Sequence, residues 1–303
     1  MTTRPRLGQI LILLGGVGGA AVANAQTPVT GHYPPGQSGI RGASTPDPGF
    51  AVTNFNRLFT NVDVPAAPGA AAQSSDSELR YANITMFTWT TDWEIFGLRY
   101  GALAGIPFAT GDLSSPTPES GFGLGDILLT PISLYGKSAA FDCQLQFTVW
   151  TPSGHFSPGS ASNRGTGFWA LVYSLGGVYY PAGNREAWSL SAVARVEQNL
   201  QQRGSGIEPG SDVVIDWGVG RAFRVADHSL DVGVSGFGAW QLTAQQGGPP
   251  GTDEQRYRLL GVGPEASLPI FGRLTLRLRI QIELAARDIV RGNNVWIIFN
   301  YRF

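Results

Sequence analysis

Over residues 294–303 the side chains alternate strictly. Val295, Ile297, Phe299, Tyr301 and Phe303 fall on one face of an extended chain, and Trp296, Ile298, Asn300 and Arg302 on the other. A period of two is the geometry of a β-strand. Most chains let their last residues fray, so an unbroken apolar stripe ending on Phe303 requires an apolar surface to receive it. Two folds supply one. An edge strand of a soluble sandwich buries such a stripe in a core; a membrane-spanning strand turns it to lipid.

The other end of the chain separates these alternatives. Arg4 and Arg6 precede an uncharged stretch from Leu7 to Val22, with Ile10-Leu11-Ile12-Leu13-Leu14 at its centre, and Ala23-Asn24-Ala25 supplies a small-x-small site before Gln26. A positive flank, a short apolar centre and an A-x-A site make a secretory signal peptide over residues 1–25, cleaved after Ala25, rather than a membrane anchor. Loss of two arginines moves the formal net charge from −1 to −3. The mature chain is expected to be exported.

Charged residues are 14% of the chain, against about 25% in ordinary soluble domains. Few charges remain to solvate an outer surface, yet no stretch reads as a spanning helix. Residues 165–184 carry no charge, but five glycines, a proline and many Tyr, Trp and Val residues favour strand there. A transmembrane barrel resolves this, because half of each strand faces lipid and half faces the lumen. The single Cys143 forms no intramolecular disulfide and sits on an apolar strand face, where an inert thiol is expected. The pI near 6.3 gives no reason to expect nucleic acid.

Alternation recurs along the chain. Phe141, Cys143, Leu145, Phe147 and Val149 oppose Asp142, Gln144, Gln146, Thr148 and Trp150; Leu276, Leu278, Ile280 and Ile282 oppose Arg277, Arg279, Gln281 and Glu283. Strands are predicted near 49–61, 79–91, 94–105, 121–134, 139–151, 167–180, 187–200, 211–224, 229–243, 256–268, 273–287 and 294–303. Twelve is an even number, as single-chain bacterial barrels require. Segments 112–120, 153–164, 201–210 and 244–253 read as long loops. They alternate with tight turns at Tyr135-Gly136-Lys137, Pro181-Ala182-Gly183-Asn184 and Phe271-Gly272-Arg273. Long loops outside and short turns in the periplasm are the asymmetry of an outer-membrane barrel. The fold class is therefore all-β, a transmembrane antiparallel up-and-down β-barrel over residues 49–303. Trp89, Trp93, Trp188, Trp240 and Tyr301 are candidates for its aromatic girdles.

Charges at mid-membrane on the lipid face cost about 2–4 kcal/mol, so Arg99, Arg277, Arg279, Glu283 and Arg287 are expected to line the lumen. Two roles fit them. A basic ladder selects anions or orients the polar end of a solute; alternatively, pairs with Asp142, Asp216 or Glu265 fill and rigidify a narrow barrel. Residues 26–48, rich in Pro and Gly (Tyr33-Pro34-Pro35-Gly36, Thr45-Pro46-Asp47-Pro48), are either a lumen plug or a periplasmic tail. His155 lies in a loop near Ser153 and Ser157 with no orienting third group in the pattern, so an enzyme is not expected. Scattered His32, His155 and His228 give no metal-ligand spacing, and no cofactor is implied.

The Gly121-Phe122-Gly123-Leu124-Gly125-Asp126 run followed by Thr130-Pro131 is similar to a motif of the outer-membrane family named for the MetA pathway of phenol degradation. Thr151-Pro152-Ser153-Gly154, Asn163-Arg164-Gly165-Thr166-Gly167-Phe168-Trp169 and Gly261-Val262-Gly263-Pro264 follow in the family's order, so that the resemblance spans residues 31–303. Ser153 departs from it. The resemblance implies passive uptake of small hydrophobic or aromatic compounds across a bacterial outer membrane. The ending on Phe299, Tyr301 and Phe303 resembles the carboxy-terminal signature of outer-membrane barrels, which implies the barrel-assembly machinery, lipid and lipopolysaccharide as partners. The competing expectation is a structural or adhesive barrel whose external loops bind a ligand without solute flux.

Overall fold

The computed structural model describes residues 29–63, 79–110, 122–160, 162–225, 228–248 and 255–303. The expected signal peptide and the loop 112–120 lie outside them. The described residues form thirteen strands: β1 (Gly49–Asp63), β2 (Leu79–Ile95), β3 (Leu98–Ala109), β4 (Gly123–Leu124), β5 (Leu128–Lys137), β6 (Phe141–Trp150), β7 (Ala170–Tyr179), β8 (Trp188–Asn199), β9 (Asp212–Val225), β10 (His228–Gln241), β11 (Arg258–Phe271), β12 (Leu274–Arg287) and β13 (Arg291–Arg302). The two-residue β4 continues the line of β5, and both pair with β3, so the barrel has twelve staves. Each stave pairs antiparallel with its neighbour, and β1 pairs with β13 from Ala51↔Arg302 onward, which closes the sheet. Closure leaves no strand edge unpaired, the condition for a sheet in lipid.

The two faces are chemically opposite. On β12, Leu278, Ile280 and Ile282 are exposed outward while Arg279, Gln281 and Glu283 are buried inward. On β13, Phe299, Tyr301 and Phe303 are exposed on the outer face, and Asn294, Trp296 and Ile298 are buried inside. Cys143 is a free thiol on the outer face, half-buried beside Gly136. At the end carrying the short turns, Trp89, Trp93, Trp188 and Tyr301 are exposed, as a girdle at a membrane boundary requires.

Three features depart from the sequence pattern. The fourth expected strand, 121–134, is interrupted: Gly125, Asp126 and Ile127 leave the ladder between β4 and β5. Tyr135-Gly136-Lys137, expected as a turn, ends β5 instead; the turn is at Ser138, whose N–H donates to Phe141 O at 2.8 Å. Arg287 does not share the face of Glu283. The β11–β12 register slips between Leu260 and Gly261, pairing Leu260 with Ala285 and Gly261 with Glu283. One extra residue flips every later side chain, so Arg287 lies outside opposite Arg258 and pairs with Asp288 at 3.3 Å.

Residues 29–48 run inside the cylinder, from the end carrying the long loops to the end carrying the turns. With no neighbouring strand, the segment's N–H groups donate to carboxylates of the wall. His32 and Tyr33 donate to Glu197 (2.6 and 3.2 Å), Gly36 and Ser38 to Asp216 (2.8 and 2.9 Å), Ile40 to Glu265 (3.1 Å) and Thr45 to Asp142 (3.3 Å). At the turn end, Lys137 and Arg302 both pair with Asp47, at 3.0 and 3.1 Å. Hydrogen bonds to ionised acceptors are about twice as strong as neutral ones, so few contacts hold a segment that makes no ladder. Close approach demands glycine: a Cβ on Gly39 would overlap the Glu265 and Arg279 side chains, and Gly36 adopts φ +85°.

Candidate functional site

The segment divides the lumen into two cavities. The one at the loop end, about 450 Å³, lies between residues 29–35 and the inner faces of β1, β2, β3 and β13, with Phe59, Ile84, Pro107, Trp150, Val290 and Trp296 in its wall. That volume is within the range of small-molecule sites, and an apolar wall with a few convergent polar groups is their usual composition. The other, about 690 Å³, opens at the turn end and contains Arg41, Arg273, Arg277 and Arg302. Phe55, which pairs with Ile298 and Ile84 on the inner face, lines both. It stands between them.

The polar groups of the upper cavity converge on His32. Its Nδ1 lies 2.9 Å from Glu197 Oε1, and its Nε2 lies 3.2 Å from Asp126 Oδ2 and 2.6 Å from Thr166 Oγ1. The ring stacks on Trp150 at 5.1 Å and meets the edge of Phe168 at 4.7 Å. Thr166 Oγ1 donates its hydrogen to Asp126 at 2.8 Å, so it accepts from the imidazole. Both ring nitrogens therefore donate and the ring is a cation. Burial alone would lower its pKa, but the hydrogen bonds and charges of Asp126 and Glu197 outweigh that and raise it to about 9. Thr166, His32 and Glu197 stand in the order nucleophile, base, orienter, yet a ring protonated at neutral pH accepts no proton.

The raised value couples the segment to pH. With an ordinary pKa of 6.5 when released and about 9 when docked, His32 holds the segment with its full contribution below pH 6.5. That contribution, on the order of 3 kcal/mol, is lost as pH rises through 9. An NMR titration of the imidazole is expected to show a midpoint near pH 9, and a midpoint near 6.5 would show the ring is not held between carboxylates.

Residues 69–299 match the family described as "Putative MetA-pathway of phenol degradation". The chain belongs to this family. Among solved structures, the COG4313 outer membrane channel from Pseudomonas putida F1 shares the fold, with a TM-score of 0.70 and 15% identity over 89% of this chain and 100% of that one. The β domain of the Bordetella autotransporter BrkA (TM-score 0.48, 14% identity, 85% of this chain and 100% of that) and the Ralstonia pickettii toluene transporter TbuX (0.39, 11%, 88% and 92%) are more distant barrels. No curated protein sequence matches the chain.

Three of the four motifs that resemble those of the MetA-pathway family meet around His32, and the fourth, Gly261-Val262-Gly263-Pro264, lies in β11. Asp126, the acid of the first motif, accepts from Gly154 N–H at 2.8 Å, in the second, and from Thr166 N–H at 2.6 Å, in the third. Gly154 and Gly165 pack backbone to backbone; a Cβ on Gly154 would lie 2.8 Å from Gly165 Cα. These glycines bring two loop segments onto Asp126.

The expected lumen residues divide by depth. Arg279 is fully buried, bonded to Glu265 at 2.8 and 3.0 Å and to the carbonyls of Gly36 and Gln37. Glu283 accepts from Gly292 N–H (2.7 Å) and Asn294 (2.9 Å), and Arg99 donates to Pro46 O at 3.0 Å. Asp142, Asp216 and Glu265 pair with Arg185, Arg195 and Arg279. Arg277 is the one of the five expected residues that lines the lower cavity, and Arg287 is outside. His32 and Phe55 escaped the sequence reading. The first lies in a segment without periodicity, and the second in an alternating run of no special composition.

Proposed function

We propose that this barrel is a passive outer-membrane channel for uptake of small hydrophobic or aromatic compounds, with residues 29–48 as its lumen plug. The observation that carries the reading is the apolar cavity at the loop end, walled by Phe59, Ile84, Pro107, Trp150 and Trp296. A barrel lumen is ordinarily polar, and burying such a wall against a solute is favourable by roughly 25 cal/mol per Å². The family's description names phenol degradation and the COG4313 protein is described as a channel; both agree with this reading.

Flux past Phe55 is the test. Phe55 lines both the upper and the lower cavity, so Phe55→Ala widens the passage between them. Swelling of liposomes carrying the variant is expected to be several-fold faster than with the unaltered chain. No flux from either protein would favour the adhesive or structural alternative. Growth of a deletion strain on aromatic carbon sources, with and without the gene restored, reports on the same reading in the cell.

A further inference from the structure

We infer that the lower cavity is an anion site, so that the compounds taken up are amphiphiles with a carboxylate head, aryl or alkyl carboxylic acids in their ionised form. This rests on the channel reading and narrows it to a substrate class. Four arginines, Arg41, Arg273, Arg277 and Arg302, line this cavity, against one acidic side chain, Asp47.

The local carboxylates are oversubscribed. Asp47 is shared by Lys137 and Arg302 at 3.0 and 3.1 Å. Glu265 is shared by Arg279 at 2.8 Å and Arg277 at 3.4 Å, and Arg41 has Asp231 at 2.9 Å. No ion pair is formed by Arg273 among the described residues. Positive charge therefore exceeds negative around the space. Two donors are also poorly used: Nε of Arg41 is buried without a hydrogen-bond acceptor, and Nε of Arg277, though 3.4 Å from Glu265 Oε1, makes no hydrogen bond to it. A buried donor without an acceptor is costly, and a guanidinium matches a planar carboxylate with two parallel bonds.

The rest of the lining fits the body of the same molecule. Phe55, Tyr135 and Ile298 form the inner wall, and about 690 Å³ accommodates a ring or a short chain. A solute passing Phe55 from the apolar cavity above meets the arginines head first. The turn end faces the periplasm in barrels of this asymmetry, so the arginines lie on the exit side.

The experiment is calorimetric titration of the detergent-purified full mature protein with 4-phenylbutanoate, 4-phenylbutan-1-ol and 4-phenylbutylamine, which share a body and differ in head charge. The expected order is carboxylate tightest and ammonium weakest, with the alcohol about tenfold weaker than the carboxylate, as one charge-assisted bond pair implies. In Arg273→Gln/Arg277→Gln the carboxylate falls to the affinity of the alcohol, and in Arg221→Gln, on the outer face over Trp188, it does not. Arg273→Gln alone, at an exposed turn position, preserves folding and is expected to give part of the loss. Alcohol and carboxylate binding equally overturns the anion assignment and leaves the channel reading standing. Binding of none of the three overturns both. As a second readout, the reversal potential in a KCl gradient is expected to show anion preference that the double variant loses.

Discussion

Removal of residues 29–47 is expected to raise single-channel conductance several-fold and to abolish its division into upper and lower compartments. The segment fills the axis of a twelve-stave barrel, a size in which side chains alone leave limited free space. Its departure joins two spaces of about 450 and 690 Å³ and vacates the volume between them. The barrel is expected to survive. Glu197, Asp216, Glu265 and Asp142 lose the N–H donors of His32, Gly36, Ile40 and Thr45, but the emptied lumen admits water, which replaces those donors. A carboxylate in contact with water carries little of the penalty of a dry one. Planar-bilayer recording on the truncated chain checks this, and unchanged conductance would mean that the segment does not obstruct the pore.

Glu265→Ala is expected to lower stability by about 3–5 kcal/mol, the usual cost of removing one partner of a buried ion pair. Glu265 and Arg279 are both inaccessible to solvent, with bonds of 2.8 and 3.0 Å between them. The same carboxylate accepts from Ile40 N–H at 3.1 Å, and Arg279 also grips the carbonyls of Gly36 and Gln37. The loss therefore reaches the segment as well as the wall. Two measurements separate these effects: urea unfolding in lipid vesicles for the barrel, and frequency of channel opening for the segment. Glu265→Leu/Arg279→Leu is expected to recover part of the unfolding midpoint, because the fully buried charge of Arg279 leaves with its partner and only the more accessible Arg277 loses a carboxylate, while openings stay frequent because the segment has lost its grip. A single variant with unchanged unfolding and unchanged openings would show that the pair anchors nothing.

How much of this could be read from the sequence depended on whether backbone bonding followed a ladder. Where it did, alternation assigned faces directly, as for Leu278 and Ile280 outside and Arg279 and Gln281 inside. A single slip defeated it: past the bulge opposite Leu260, Arg287 turned from lumen to exterior. The break at Gly125–Ile127 was hidden for a different reason, since its three residues leave the ladder so that Asp126 can accept from Gly154 and Thr166. The axial segment was least legible. Its partners outside the segment lie 49–255 residues away, from Met86 for Gln37 to Arg302 for Asp47, and no local period encodes contacts of that kind. The Pro/Gly composition signalled an irregular path without giving its location. What did survive was the chemistry of the carboxylates: Asp142, Asp216 and Glu265, placed on inward faces by alternation, are the groups that hold arginines and the segment together.

The position of the axial segment is most directly tested by a cross-link. A Cβ at Gly176, on the inner face of β7, would lie 2.9 Å from the Cβ of Ala43, so a small relaxation reaches the roughly 3.8 Å of a disulfide. In a Cys143→Ala background, Ala43→Cys/Gly176→Cys assembled in the outer membrane and mildly oxidised is expected to cross-link almost completely and to keep the segment in the lumen under denaturant too weak to unfold the barrel. Free thiols at both positions in a folded barrel, readily labelled from the periplasm, would place the segment outside and contradict the two-cavity lumen.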